Sequence, residues 1–279
     1  MTRRITTFMA LSIGLAALVD LTFYQLGLTE DATMWLVWGL ARMYTPTIAA
    51  VTVAGPRIVK RYIRLDMGIL KHYLLSPLIV YAALGVYMAI TLPLGVTDLS
   101  LLGALLPLKL DPLALILLIL LNSYIAAITI NAVFALGEEI GWRGFLQDSL
   151  EEAGISPARA ALVAGILWGI WHASAILILG YNYPENRQVG ALVFTALTVS
   201  MSLPHWISRA ASSSILPASS LHGSVNAVWG ITVAAGKIPR ELGGLGAAGV
   251  ASWAIISIIL YIVFRRVRSR ATASREGPA

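Results

Sequence analysis

The 279-residue sequence contains no cysteine and is poor in charge. Without a thiol, the chain can form no disulfide, no thiolate metal site and no cysteine nucleophile. Charged residues make up 12% of the chain and hydrophobic residues make up 58%. A typical soluble domain carries roughly 25% charged residues. The composition therefore predicts an integral membrane protein.

Long apolar runs account for most of the chain. Because the runs are continuous rather than alternating, they favour helices over strands, and ~20 helical residues cross a hydrocarbon core of ~30 Å. The runs cover approximately residues 6–28, 33–54, 73–95, 112–137, 158–180, 189–208, 215–235 and 246–264. The first run is too long for a signal peptide, so we expect a retained span. The predicted fold is an all-α, polytopic membrane protein of about eight transmembrane helices.

The positions of the basic residues predict the orientation in the membrane. The net charge of +6 comes from short basic runs between apolar segments, which orient a membrane protein and do not indicate nucleic-acid binding. These residues are Arg3, Arg4, Arg57, Lys60, Arg61, Arg64, Lys71, Arg143, Arg159, Arg209, Arg265, Arg266, Arg268 and Arg270. With an even number of spans, the positive-inside rule places both termini on the cytoplasmic side.

The segment LGEEIGWRG, residues 136–144, places two carboxylates and an arginine at the end of an uncharged run. Each charge at the centre of a spanning helix costs about 2.5–3.5 kcal/mol, so the three must pair, face a wet cavity or do chemistry. Glu139 and Arg143 are spaced i, i+4 and can form an ion pair, whereas Glu138 points roughly 100° away. If the helix continues to about residue 152, the carboxylates lie ~20 Å from its cytoplasmic end. These residues alone leave open a salt-bridge cluster that anchors the helix end.

Two histidines lie within spans at a matching depth. His172 lies about 15 residues into span five, which places it ~22 Å from the cytoplasmic start. His222 and Asn226 are spaced i, i+4 on span seven and share one face of that helix. These residues can therefore converge with Glu138. Their matching depth is hard to explain if each histidine is only a packing residue. Trp168 lies one turn before His172 and is expected to fix its ring by packing.

The other polar residues within or beside the spans are expected to have structural roles. His72 lies in a basic loop and His205 at the end of span six, so both are expected at the membrane interface. Asp20 and Arg42 lie within spans one and two and are expected to pair with each other.

Three short motifs carry a family resemblance. Residues 138–143 match E-E-x-x-x-R, residues 168–172 match F-x-x-x-H with Trp in place of Phe, and residues 222–226 match H-x-x-x-N. From about residue 130 to 230 the sequence resembles the CAAX-protease and bacteriocin-processing family, also called the abortive-infection family. Its eukaryotic members are the Ras-converting, type II CAAX endopeptidases. The Trp keeps an aromatic side chain at its position and can alter the shape of the pocket.

The resemblance implies an eight-helix intramembrane endopeptidase that uses a glutamate-activated water and no cofactor. The catalytic residues it implies are Glu138, His172, His222 and Asn226, and the supporting residues are Glu139, Arg143 and Trp168. Glu138 is the expected general base, His172 helps to hold the water, and the span-seven pair stabilises the oxyanion. The absence of H-E-x-x-H disfavours a standard zinc peptidase. A metal version remains open, because Glu138, His172 and His222 could form a His₂Glu ligand set.

Three functions remain open at this stage. The first is a CAAX-type endopeptidase that cleaves near the C-terminus of a prenylated or membrane-anchored peptide, with its active site opening to the cytoplasmic side. Its partners would be that peptide and membrane lipids, with no nucleic acid. The second is the same protease acting on a non-prenylated peptide, such as a bacteriocin precursor or a signal. The third is a non-enzymatic membrane scaffold, or a proton-coupled transporter that uses these polar residues as a relay.

The chain is expected to divide into three regions. Residues 1–110 hold spans one to three and a linker, in which 97–111 could form a short interfacial helix. Residues 111–265 form the catalytic, CAAX-protease-like transmembrane core. Residues 266–279 form a basic, disordered tail.

Overall fold

The computed structural model describes residues 2–105 and 110–273. Within these residues the fold is all-helical, and its only extended pairing is an isolated bridge between Thr97 and Gly236. The α-helices are α1 Thr2–Gln25, α2 Ala32–Met43, α3 Thr45–Ala54, α4 Arg57–Tyr62, α5 Met67–Leu75, α6 Pro77–Thr91, α7 Pro112–Ile128, α8 Ile130–Glu139, α9 Gln147–Glu152, α10 Pro157–Ser174, α11 Arg187–Ser212, α12 Leu216–Val228, α13 Gly230–Ala234 and α14 Ala247–Ala273. The all-α class predicted from the sequence is confirmed.

Several of these helices are long and apolar enough to cross a membrane. Within the described residues there are five: Thr2–Gln25, Met67–Thr91, Pro157–Leu179, Arg187–Ser212 and Ala247–Arg270. A sixth span results if α7 and the helical segment Ile130–Glu152 are taken together across a bend of 48°. These helices support an integral membrane protein with five or six candidate spans.

The two remaining apolar runs, 33–54 and 215–235, each form two shorter helices. α2 and α3 meet at Tyr44, and Pro46 in the first turn of α3 donates no backbone hydrogen bond. α12 and α13 meet at Trp229. Because α12 is buried along most of its length, it lies inside the helix bundle.

Two peripheral predictions extend beyond the described residues. The segment 97–111 contains a 3-10 turn, Leu99–Leu105, and residues 106–109 are not described. In the predicted tail 266–279, α14 continues as a helix to Ala273, and the residues after it also lie outside the described part of the chain.

The helix that carries the two glutamates is bent before them and widened after them. Thr129 interrupts it with φ −121° and ψ −104°, and α8 then starts in a new direction. After Glu139 the chain forms a π-helical turn, Ile140–Leu146, before α9. Wide turns of this kind inside α-helices often occur at functional sites. The stretch predicted to run unbroken to about residue 152 is therefore helical from Ile130 onward but broken before the glutamates.

Two glycines allow this helix to pack directly against the corner between α2 and α3. A Cβ atom on Gly137 would lie 2.5 Å from the ring of Tyr44, and one on Gly141 would lie 2.4 Å from the Cβ of Pro46. The backbones approach too closely for any side chain at either position. The glycines therefore bring the glutamate pair against the corner between α2 and α3.

An aromatic layer lies beside the polar residues in the centre of the bundle. Trp142 and Trp171 are fully buried and meet edge to face, with ring centroids 5.9 Å apart. Phe8 of α1 packs on Trp142 with a centroid distance of 5.5 Å. Each tryptophan is adjacent in sequence to a motif residue, so this packing fixes the backbone next to the motif side chains.

Candidate active site

Three helices bring the motif residues to one cavity. Glu138 lies in the last turn of α8, His172 in the last turn of α10, and His222 and Asn226 on α12. All four line a cavity of about 380 Å³. Glu138 and His222 are 2% and 3% exposed, whereas Asn226 is exposed at the cavity wall. The structure therefore brings the four predicted catalytic residues together.

Glu138 is held by a hydrogen bond from an aromatic side chain. The indole Nε1 of Trp168 donates to Glu138 Oε2 at 2.6 Å, and both residues are 2% exposed. The bond fixes one carboxylate oxygen, which leaves the other oxygen available to accept a hydrogen bond from water. Trp168 was predicted only to pack on His172, and its donation to Glu138 was not anticipated.

His172 is fixed in one tautomer by the same tryptophan. Its Nδ1 lies 2.9 Å from the backbone oxygen of Trp168, and its ring meets the indole edge to face at 5.7 Å between centroids. Because a carbonyl oxygen only accepts, Nδ1 carries the hydrogen and Nε2 keeps its lone pair. His172 thus presents an acceptor nitrogen in the cavity that Glu138 also lines.

His222 is oriented by the second glutamate of the motif. Its Nδ1 donates to Glu139 Oε1 at 2.8 Å, and Arg143 Nη1 donates to the same oxygen at 2.8 Å. Arg143 also lies over the ring of Trp168, with 4.2 Å between the guanidinium carbon and the ring centroid. The ion pair expected from the i, i+4 spacing is present. Glu139 connects this arginine to His222, so it orients a cavity residue as well as balancing a charge.

Asn226 completes the α12 edge of the cavity. It lies one turn beyond His222 and lines the same cavity, and its side-chain amide supplies two N–H donors. A hydrogen bond from α8 supports this helix, because the side-chain amide of Asn131 donates to the carbonyl oxygen of Gly223 at 3.3 Å. The two residues of the H-x-x-x-N motif therefore offer polar groups to the cavity from successive turns of one helix.

Comparison with known families identifies the region that carries these residues. Residues 112–228 match a family model described as type II CAAX prenyl endopeptidase, Rce1-like. The family resemblance is confirmed. The Rce1-like region extends from the start of α7 to the end of α12 and contains all three motifs. No curated protein matches the chain. The Rce1-like match supports a CAAX-type membrane protease in general.

An arginine from outside the Rce1-like region also lines the cavity. Arg42 of α2 pairs with Asp20 of α1, with 3.0 Å between Nε and Oδ1, as predicted. Its Nη2 donates to the backbone oxygen of Trp171 at 2.7 Å, and its guanidinium lies 3.7 Å from the centroid of that ring. Arg42 was predicted to have a purely structural role, yet it contributes to the cavity wall. An arginine within an apolar run was the signal available for that position.

His205 was predicted at the membrane interface, and this prediction is wrong. The residue is fully buried in α11, and its ring lies 5.7 Å from that of His222 and 5.6 Å from that of Trp168, centroid to centroid. Its Nδ1 lies 2.8 Å from the backbone oxygen of Met201, which fixes the hydrogen on that nitrogen. His205 packs its ring against rings from neighbouring helices, which the composition of span six alone does not indicate.

The histidines do not gather around Glu138 as the alternative His₂Glu metal set would require. Within the described residues, the cluster with metal-ligand spacing is Glu139, His205 and His222, whose ligand atoms lie within 4.8 Å of one another. Glu139 Oε1 already accepts from both His222 and Arg143. Because a metal ion bound there would displace these two hydrogen bonds, the geometry favours a hydrogen-bonded network over a metal centre.

Chelation is expected to leave the activity of the purified protein unchanged. Glu139 already accepts hydrogen bonds from Arg143 and His222, so no metal ion is needed to hold the cluster. The measurement is the rate of peptide cleavage before and after exhaustive dialysis against a strong zinc chelator, together with elemental analysis. Stoichiometric zinc, combined with a loss of activity that added zinc restores, would contradict this expectation.

Proposed function

We propose that the chain is an intramembrane endopeptidase of the CAAX type that hydrolyses a peptide bond near the C-terminus of a prenylated or membrane-anchored substrate. The observation that carries the proposal is a buried carboxylate, Glu138, which shares a cavity of about 380 Å³ with His172 inside the Rce1-like region. A carboxylate in a water-accessible cavity within an apolar bundle suits the deprotonation of water.

Water is the proposed nucleophile and Glu138 the proposed base. A water molecule held between the free Glu138 oxygen and His172 Nε2 donates one hydrogen to each. As its oxygen bonds to the carbonyl carbon, Glu138 takes one proton, and it returns that proton to the amide nitrogen when the carbon–nitrogen bond breaks. The products are a carboxyl group and an amine, and the residue is restored.

His222 and Asn226 are the proposed oxyanion donors. Because His222 Nδ1 already donates to Glu139, its Nε2 can donate to an oxyanion only when the ring is doubly protonated. The Glu139 carboxylate stabilises that imidazolium, as the buried carboxylate does in a catalytic triad. Asn226 adds a neutral N–H donor. Each donor of this type contributes about 2.7–4 kcal/mol to transition-state stabilisation.

We further propose eight membrane-crossing segments, counting α2 with α3 and α12 with α13 as one broken span each. The basic residues then place both termini on the cytoplasmic side. The catalytic core corresponds to 111–265, and 1–110 supply the first three spans. Broken spans are common where a membrane protein lines a polar cavity, because neighbouring groups satisfy the freed backbone.

A cleavage assay with paired peptides tests the proposed function. Purified protein is incubated with a farnesylated CAAX peptide and with the same peptide lacking the prenyl group, and the products are identified by mass. We expect release of a C-terminal fragment from the farnesylated peptide at a rate at least ten times that for its unprenylated partner. The Glu138→Ala variant, purified in the same way, provides the inactive control.

The alternative functions correspond to different results of the same assay. Equal cleavage of both peptides would favour the protease that acts on non-prenylated substrates, because it would show that the lipid contributes nothing to recognition. Failure to cleave any member of a peptide library, together with transport driven by a pH gradient in liposomes, would favour the proton-coupled transporter and overturn the proposal.

A further inference from the structure

Buried polar atoms without a partner collect at one interface behind the catalytic cavity. Among the described residues, eight buried side-chain nitrogen or oxygen atoms make no hydrogen bond to the protein, and five of them lie on two stretches of chain that pack together. These five atoms are Glu139 Oε2, Arg143 Nη2, Gln147 Oε1, His205 Nε2 and Ser208 Oγ. Because a buried polar atom normally has a partner, five at one interface require a common explanation.

The five side chains form two stripes that face each other. The first three follow at intervals of four residues from the end of α8, through the π-helical turn, to the start of α9, and the other two are three residues apart on α11. These spacings keep side chains on one face of a helix. α11 packs against the π-helical turn, and Arg209, the residue after Ser208, donates to the backbone oxygen of Arg143. We call the interface between the two stripes the polar seam.

His205 presents a hydrogen-bond acceptor to the polar seam. Its Nδ1 holds the hydrogen that is donated to the backbone oxygen of Met201, so its Nε2 carries a lone pair. The residue is fully buried and is not among the described residues that line the catalytic cavity. Its ring packs on the rings of Trp168 and His222 instead. His205 therefore lies behind the catalytic residues and does not face the substrate.

The spacing between His205 and Glu139 fits one bridging molecule. A nitrogen of His205, a nitrogen of His222 and a carboxylate oxygen of Glu139 lie within 4.8 Å of one another. Because Glu139 Oε2 and His205 Nε2 are both acceptors, they cannot bond to each other, and a donor to both must lie between them. Two hydrogen bonds of ~2.8 Å that meet at a water oxygen join atoms ~4.5 Å apart.

Water has the hydrogen-bonding groups that the polar seam lacks. Its two O–H groups can donate to Glu139 Oε2 and His205 Nε2, while its oxygen accepts from Arg143 Nη2. Buried waters typically make about three hydrogen bonds to polar groups that have no other partner. A metal ion could bind the two acceptors, but it would leave the guanidinium donor without a partner. One turn further along, Gln147 Oε1 and Ser208 Oγ offer an acceptor and a hydroxyl group to a second water.

We propose that internal water fills the polar seam and that His205 is a positioning residue, which acts through this water on Glu139. Glu139 Oε1 accepts from His222 Nδ1 and from Arg143 Nη1. Water held by His205 fixes the other oxygen, Oε2, and so keeps the carboxylate in the plane that His222 requires. The part of His205 in catalysis rests on the proposed function, in which Glu139 stabilises the His222 imidazolium. The water itself rests only on the contacts around it.

An experimental structure of the parent protein, at a resolution that shows ordered water, tests the polar seam directly. We expect a peak at ~2.7–3.2 Å from His205 Nε2, Glu139 Oε2 and Arg143 Nη2. A peak at ~2.0–2.2 Å from the histidine nitrogen and the carboxylate oxygen would be a metal ion and would overturn the proposal. The absence of any peak between these atoms would overturn it as well.

Two substitutions separate the acceptor of His205 from its ring. His205→Leu removes both, whereas His205→Gln removes the ring but carries an amide oxygen that can accept from the same water. In His205→Leu we expect kcat for the farnesylated peptide to fall about 10–100-fold with little change in KM, the range found when the group that orients a metal-bound histidine is lost. His205→Gln should recover most of the parent rate. Thermal unfolding of both variants checks the fold, and His72→Gln, at an exposed position, is the matched control.

A spectroscopic measurement keeps this inference separate from the protease assay. The chain has four histidines, so the imidazole nitrogen resonances of protein made with isotope-labelled histidine can be assigned by single substitutions. Because both His205 variants lose the ring, a difference between them at His222 Nδ1 reports the acceptor alone. We expect such a difference, with His205→Gln closer to the parent.

Identical His222 resonances in the two variants would overturn the positioning role, whatever their effect on cleavage. A His205→Leu variant that shifts His222 yet cleaves at the parent rate would overturn its part in catalysis. If the parent cleaves no peptide while the water peak and the His222 difference are both present, the polar seam stands and the proposed function fails.

Discussion

Replacing Glu138 by glutamine is expected to lower kcat for peptide cleavage by about 10²–10⁴-fold, the range associated with loss of a general base. Glutamine has nearly the same shape, and its amide oxygen can still accept the hydrogen bond from the Trp168 indole. The substitution therefore removes the proton acceptor and leaves the cavity wall in place. Because substrate binding does not require that proton transfer, KM should change little. The measurement is steady-state cleavage of the farnesylated peptide in detergent.

Glu152→Gln is the matched control for this prediction. It makes the same chemical change at an exposed residue of α9, more than three helical turns beyond the site, and it should cleave at the parent rate. Equal thermal unfolding of the parent and both variants would show that the fold is unaffected. If Glu138→Gln retained the parent rate, another group would have to be the base.

The largest effect on stability is expected at Arg42. Arg42→Ala leaves the carboxylate of Asp20 fully buried without its cation, and breaking a buried pair in this way costs about 3–5 kcal/mol. Asp20 keeps hydrogen bonds from Trp38 Nε1 at 2.8 Å and from the Ser174 hydroxyl at 2.6 Å, but these donors are neutral. The free energy of unfolding in detergent should therefore fall by an amount in this range.

The double variant Asp20→Asn with Arg42→Met tests whether the lost stability comes from an unpaired buried charge or from lost packing. With the carboxylate replaced by an amide, no unpaired charge remains, so the double variant should recover most of the lost free energy of unfolding. A double-mutant cycle with the two single variants would give the coupling between the residues. A single variant Arg42→Ala as stable as the parent would show that the pair contributes nothing.

The convergence of the site could be predicted because it depends only on helical geometry. The depth of His172 follows from counting residues, and the i, i+4 spacing places Glu139 with Arg143 on one side of a turn. Both arguments require long, continuous apolar runs. The wide turn after Glu139 does not disturb the ion pair of Glu139 and Arg143, whose Oε1 and Nη1 atoms are 2.8 Å apart.

The breaks in the helices could not be predicted from apolarity. Thr129 is neither proline nor glycine, and none of its neighbours is typical of a helix end. The chain nevertheless bends there by 48°. Hydropathy measures how apolar a run is and does not register where backbone hydrogen bonding is interrupted. For the same reason the runs 33–54 and 215–235 looked like single spans.

The environments of His205 and Arg42 depend on neighbouring helices. The rotation of a helix about its own axis is set by the helices that pack against it, and a single sequence does not show which helices these are. His205 therefore looked interfacial, although its helix directs it at His222. Arg42 was correctly paired with Asp20, but its place in the cavity wall depends on how α2 packs against α8 and α10.

Trp168 contacts Glu138, the proposed base, and His172 through two chemically different parts of one residue. The indole nitrogen holds Glu138, whereas the peptide oxygen holds His172. A side-chain change at this position acts on the indole alone, because every amino acid brings the same carbonyl group. Phenylalanine, the residue that the family motif has here, would leave the histidine tautomer intact and remove the hydrogen-bond donor to Glu138. Substitutions at position 168 therefore keep the hydrogen bond that orients His172, but they can remove the hydrogen bond to Glu138.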